Sequence, residues 1–201
     1  MSTTVILLAV MKREVLDMIR KNSVDKVTNL VMTALMMCLI IVATMFIRIP
    51  IPMTQGYVHL GDSMIFLSVL VLGKKQGAAA AGLGSALGDV LGGYAFWAPW
   101  TFVIKFLMAL ILGAFVEHME KKGKHVQGHG IAAAELVGMV LAGLEMTAGY
   151  YIVESVMYGS YLVPLASVPW NIGQFVAGMV IACILAAALC KTPAKKFFAL
   201  K

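Results

Sequence analysis

From Val27 to Cys190 the sequence is a succession of apolar segments, roughly Val27–Ile47, Asp62–Leu72, Gly77–Leu91, Pro99–His118, Ile131–Met157 and Ser167–Cys190, with charges almost confined to the joints between them. A domain folded in water needs a polar exterior, and ordinary globular chains carry about 25% charged residues. Here 61% of the 201 residues are hydrophobic and 13% are charged, too few charges to clothe a water-facing fold. The first segment and the last three approach the ~20 residues that a helix needs to cross a bilayer, while the second and third are shorter. The expected fold class is an all-α integral membrane protein.

The basic residues then set the topology. Lys12, Arg13, Arg20, Lys21 and Lys26 precede the first segment, and Lys74 and Lys75 separate the second from the third. Lys121, Lys122 and Lys124 separate the fourth from the fifth, and Lys191, Lys195, Lys196 and Lys201 follow the sixth. Fourteen of the sixteen thus fall on one side, and cytoplasmic loops are the ones enriched in Lys and Arg. The pattern predicts six transmembrane helices with N and C termini cytoplasmic. A re-entrant hairpin in place of segments two and three would carry Lys74 and Lys75 to membrane depth, which is costly, so two short true spans are preferred. The chain divides into a cytoplasmic N-terminal segment (1–26), a six-helix membrane domain (27–190) and a basic cytoplasmic tail (191–201). Val15, Met18 and Ile19 give the first part a short amphipathic face suited to a membrane surface, the alternative being a partly ordered tail. Its apolar run lacks preceding basic residues and does not match a signal peptide; the start is either Met1 or Met11. The net charge of +6 is spent on topology, so lipid and not nucleic acid is the expected contact.

Six polar side chains within the segments fall toward the outer face, and Glu135 and Glu145 lie deeper. Asp62 opens the second segment, Asp89 nears the outer end of the third, and Lys105 lies about six residues into the fourth, ~9 Å deep at 1.5 Å per residue. Glu154 nears the outer end of the fifth, and Asn171 and Gln174 stand in the first turns of the sixth. Ionisable groups at membrane depth mark function by default, and this clustering predicts an externally open cup and not a trans-bilayer path. Tyr94 and Trp97, beside Asp89, are expected to stack on a flat ligand; Tyr151 joins Glu154 on a polar-aromatic stripe with Thr147 and Tyr158. Trp100 and Trp170 divide evenly between pocket and interfacial belt. Lys105 either holds ligand or is neutralised by Asp89 or Glu154 in a structural ion pair. His59 and Asp62 are weaker candidates, and the stretch Arg48–Gly56, stiffened by Pro50 and Pro52, is expected to form a lid. Glu145, half a turn out of phase with Glu154, is assigned to packing or to a partner.

Other features carry less. Ala80, Gly84, Gly88 and Gly92 form one smooth helix face, read as internal packing in preference to docking. Cys38, Cys183 and Cys190 have no metal-ligand spacing and are read as packing residues. His118, His125 and His129 are unevenly spaced on a loop, and the fifteen methionines are scattered through the spans, which fits neither a metal site nor a carrier. Residues 82–87 miss the third glycine of a dinucleotide fingerprint and follow no strand, so neither nucleotide hydrolysis nor a cofactor is expected of this chain.

Six stretches, IRIPIP (47–52), YVHLGDSMIFL (57–67), GSALGDVLGGY (84–94), WAPWTFVIK (97–105), AGYYIVE (148–154) and VPWNIGQ (168–174), resemble the substrate-binding S components of energy-coupling factor (ECF) vitamin transporters. The likeness is strongest to the riboflavin-type group, which includes members assigned to pyridoxine or hydroxymethylpyrimidine, and it covers nearly all of residues 27–190. The resemblance implies a subunit of the prokaryotic plasma membrane that captures a vitamin outside, then associates with a transmembrane coupling protein and two ATPase subunits and topples to release it. It also implies docking through a small-xxx-small pattern on the first span, here Ala34 and Cys38. Two other classes are weighed beside it. A stand-alone proton-coupled secondary transporter would use Asp89, Glu145 and Lys105 as a relay. An intramembrane lipid enzyme lacks a nucleophile and base at one depth, since Ser63 and Ser85 have only the loop residue His59 near them in height.

Overall fold

The computed structural model describes residues 3–52, 54, 56–122, 133–193 and 198, with side chains described from Asp25 onward. The amphipathic face at Val15, Met18 and Ile19, the loop residues Lys124, His125 and His129, and the tail lysines Lys195, Lys196 and Lys201 lie outside the described residues or side chains. The chain forms two units, Met1–Met32 and Thr33–Lys201; the first is helical from Thr3.

In order, the elements are α1 (Thr3–Phe46), β1 (Arg48–Pro50), β2 (Tyr57–His59), α2 (Gly61–Leu91), α3 (Ala98–Lys121), α4 (Ala133–Tyr158), a 3-10 turn (Val163–Ala166) and α5 (Val168–Cys190). Among the described residues five helices are long and apolar enough to cross a membrane. Prolines sit in the first turn of α3 and of α5, where a missing N–H costs nothing and the fixed φ suits a helix start. The strands pair antiparallel, Arg48 opposite His59 and Pro50 opposite Tyr57, and Ile51 N–H closes the loop on Gly56 O at 3.0 Å.

The second and third apolar segments meet in a single element, α2, which breaks at Gly73. There φ is 76° and ψ is −179°, a conformation that glycine alone adopts readily. Residues eight apart in a straight helix stand about 12 Å from one another. Yet a Cβ on Gly77 would lie 2.8 Å from Val69 Cα, and Ser68 Oγ reaches Gly77 O at 3.4 Å. The two legs, 61–72 and 74–91, therefore fold back on each other. Thr44 of α1 touches both Gly61, where the first leg begins, and Gly88, near the end of the second. The break replaces the expected linker, so that Lys74 and Lys75 begin the second leg. Lys74 pairs with Glu117 of α3 at 2.5 Å, and its backbone packs at the Cα of Gly113.

Small residues govern the packing. A Cβ on Gly84 would stand 3.2 Å from Ile40, and one on Gly88 3.2 Å from Thr44, so the second leg runs alongside α1 in the same direction, in steps of four. The smooth face of that leg is thus turned inward. α3 packs against α2 and α4, and α5 against α2 and α4. Phe66, Val69, Met108, Leu112, Met139 and Ala142 fill the interior. Leu35, Val42, Val103, Leu144 and Ile184 point outward, the apolar exterior expected of a chain whose solvent is lipid.

Candidate functional site

The β1–β2 hairpin, the end of α2, the start of α3, the end of α4 and the start of α5 converge on one pocket with an empty volume of ≈ 390 Å³ counting its open mouth. From the hairpin come Ile51, Gly56, Tyr57 and His59; from α2 and α3 come Asp89, Trp97 and Thr101. α4 contributes Tyr150 and Glu154, and α5 contributes Asn171 and Gln174.

Asp89 is 3% exposed and stands in the last turn of α2, the negative end of the helix dipole. Its Oδ1 accepts from the Tyr57 hydroxyl at 2.5 Å, while Oδ2 has no hydrogen-bond partner among the described residues and Thr101 as its polar neighbour. Burial, and then the adjacent Asp89 carboxylate, push the Tyr57 phenol upward, so it remains a donor. Tyr94 packs against Tyr57 at a tilt of 41°, ring centroids 4.4 Å apart, and the Arg48 guanidinium lies 5.3 Å and 5.8 Å from the two rings. Arg48 also donates to Gly92 O at 3.0 Å and Gly88 O at 3.4 Å, binding the carbonyl-bearing C-terminal end of α2. A side chain on Gly92 would collide with that guanidinium.

Opposite Asp89, Glu154 is 2% exposed and accepts from Ser167 Oγ at 2.5 Å through Oε2; its Oε1 faces Gly56. Gln174 is spoken for on both sides: its carbonyl accepts from His59 N–H and its amide donates to Asp62 Oδ2, each at 2.9 Å. His59 Nδ1 accepts from Gly61 N–H at 3.0 Å, which leaves the ring proton on Nε2. Burial, reinforced by the charge of Lys105, pushes the His59 imidazole down to about 3, so it is neutral at physiological pH.

Of the residues expected from sequence, Asp89, Trp97, Glu154, Asn171 and Gln174 line the pocket. Lys105 does not; it is wholly buried behind it, 2.5 Å from Asp62 Oδ1, with Met146 Sδ at 2.8 Å and the Tyr150 ring at 5.6 Å. Its ion-pair partner is Asp62, not Asp89 or Glu154. Tyr94 stands in front of the pocket on Tyr57, and Tyr151 is half-buried, its hydroxyl donating to Tyr161 O at 3.1 Å. Ala34 and Cys38 are exposed on α1, away from the residues that face α2. Sequence reasoning missed Tyr57, Thr101 and Tyr150. A signal existed for two of them, since Thr101 follows Trp97 and Tyr150 precedes Glu154 by one helical turn.

Residues 24–191 match the family model described as ECF-type riboflavin transporter, S component. A Pyrococcus woesei protein described as "Uncharacterized protein in gap 3'region" is 42% identical over 118 residues, 59% of this chain and 72% of its own length. A solved structure titled "Structure and mechanism of the S component of a bacterial ECF transporter" shares the fold at TM-score 0.62 and 18% identity, covering 83% of this chain and 97% of that one. This multi-pass membrane protein belongs to the family of ECF-type riboflavin transporter S components.

Proposed function

We propose that the chain is the high-affinity capture subunit of an ECF-type importer in a prokaryotic plasma membrane, taking up a small heteroaromatic vitamin or precursor of pyridoxine or hydroxymethylpyrimidine type. The observation that carries this reading is a closed cup. Asp89, Trp97, Glu154, Asn171 and Gln174 gather at one end of the bundle, and buried Met108, Leu112, Val116, Met139 and Ala142 seal the interior beyond Lys105. A cup binds and holds; transport then needs the whole subunit to reorient, which a coupling protein and two ATPase subunits would drive.

We read the two legs of α2 as separate crossings, six in all with the other four helices, and Lys74, Lys75, Lys121, Lys122 and Lys191 lie at the end away from the pocket. We take that end, with both termini, as cytoplasmic. The ridge of Ala34, Cys38 and Val42 on α1, flanked by exposed Leu35 and Leu39, supports its use as the docking surface for the coupling protein. The proton relay has less support, because Lys105 is committed to Asp62.

Native mass spectrometry of the detergent-purified full chain tests the reading. A co-purifying or added heteroaromatic of vitamin size should remain bound at one per chain. Uptake that proceeds in cells lacking any ECF coupling protein and its ATPases would replace it with the stand-alone carrier.

A further inference from the structure

Among the described residues, the walls of the pocket carry two carboxylates and no cation. Building on the reading that the pocket takes a heteroaromatic vitamin, we propose that its ligand is positively charged, a ring cation or an amine-bearing heterocycle clasped between Asp89 and Glu154 over Trp97, and that neutral flavin-like and anionic heterocycles are discriminated against.

Every nearby positive group is occupied elsewhere. Lys105 is paired with Asp62 behind the wall, and the Arg48 guanidinium is spread over Gly88 and Gly92 carbonyls and two tyrosine rings. His59, the remaining titratable group of the wall apart from the tyrosines Tyr57 and Tyr150, is neutral. Asp89 is buried at the negative end of a helix with Oδ2 unpartnered among the described residues, and Tyr57 supplies one hydrogen bond but no charge. Glu154 accepts one hydrogen bond among the described residues, from the Ser167 hydroxyl. Asp89 and Glu154 are both buried, and a buried carboxylate short of partners is costly. A bound cation relieves both, and the face of Trp97 favours it further. A neutral flavin-like ring offers no charge to balance them, and an anion adds a third negative group.

The test is equilibrium titration of the full chain in lipid nanodiscs at pH 7 with pyridoxamine and thiamine as cations, pyridoxine and riboflavin as neutral rings, and nicotinate and biotin as anions. Pyridoxamine is expected to bind at least about tenfold tighter than pyridoxine, its near-isostere, a gap of about 1.4 kcal/mol. Asp89→Asn and Glu154→Gln, which keep size and shape, should each bring that ratio toward one. Riboflavin, pyridoxine or nicotinate binding as tightly as either cation, or a ratio unmoved in both variants, overturns the charge assignment and leaves vitamin capture standing. A monodisperse, helical preparation that binds none of the six overturns both.

Discussion

Lys105 Nζ lies 2.5 Å from Asp62 Oδ1 with both side chains fully buried, and Gln174 meets the other carboxylate oxygen at 2.9 Å. Asp62 opens α2, where a helix N-terminus favours negative charge. α5 comes close enough that a Cβ on Gly178 would sit 2.8 Å from Asp62 Cβ. The pair therefore joins α2, α3 and α5 directly behind the ligand pocket.

Removing one partner of a buried pair leaves a charge without compensation, at a cost of about 3–5 kcal/mol. Lys105→Met is expected to lower the melting temperature sharply in detergent, and Lys105→Met with Asp62→Leu to recover most of the loss. An unchanged melting temperature for the single variant, with ligand binding abolished, would return Lys105 to a ligand-binding role.

Trp97 supplies the aromatic wall, and Asn171 lines the pocket at 4% exposure. Asn171→Ala is expected to weaken vitamin binding by about 1–3 kcal/mol, as a lost buried hydrogen bond does, while the thermal transition stays put. Trp97→Ala should weaken binding as well. Titration of both variants checks this, and unaltered affinity in the pair would show that ligand sits elsewhere.

His59 ties acid sensitivity to the site. Its folded-state value of about 3 lies below its ordinary 6.5, so the unfolded chain binds the extra proton between those limits. Stability is therefore full above about pH 6.5 and is lost as pH falls toward 3. His59→Gln, which has no proton to gain, is expected to flatten that part of the profile in thermal melts run from pH 7 to pH 4.

The turn of α2 depends on backbone contact. Gly77→Ala would set a methyl 2.8 Å from Val69 Cα and is expected to destabilise by about 1–3 kcal/mol, as overpacking does. Gly173→Ala meets nothing within 4 Å and serves as the control, expected to be neutral or stabilising. Equal melting temperatures for the two would show that the legs are looser than the contact implies.

The proposed docking ridge on α1 can be tested separately from the pocket. Ala34→Trp and Cys38→Trp, on an exposed ridge remote from the pocket lining, are expected to leave vitamin titrations unchanged while lowering uptake in cells that supply the ECF module. Uptake at the unsubstituted rate would send the coupling protein to another face.

Hydropathy and charge spacing determine how many apolar stretches there are, which end of each carries polar groups, and hence that Asp89, Trp97, Glu154, Asn171 and Gln174 share a depth. These quantities are one-dimensional and need only counting along a helix. What faces what is not. That Lys105 answers Asp62, that Tyr57 covers Asp89, and that segments two and three join at Gly73 without a linker all depend on how far each helix rotates and how closely backbones approach. Those are decided by contacts such as Gly84 on Ile40 and Gly178 on Asp62, between residues far apart in the chain. Local periodicity does not encode such contacts, so only the assembled tertiary structure could reveal the buried pair and the two carboxylates left facing the pocket.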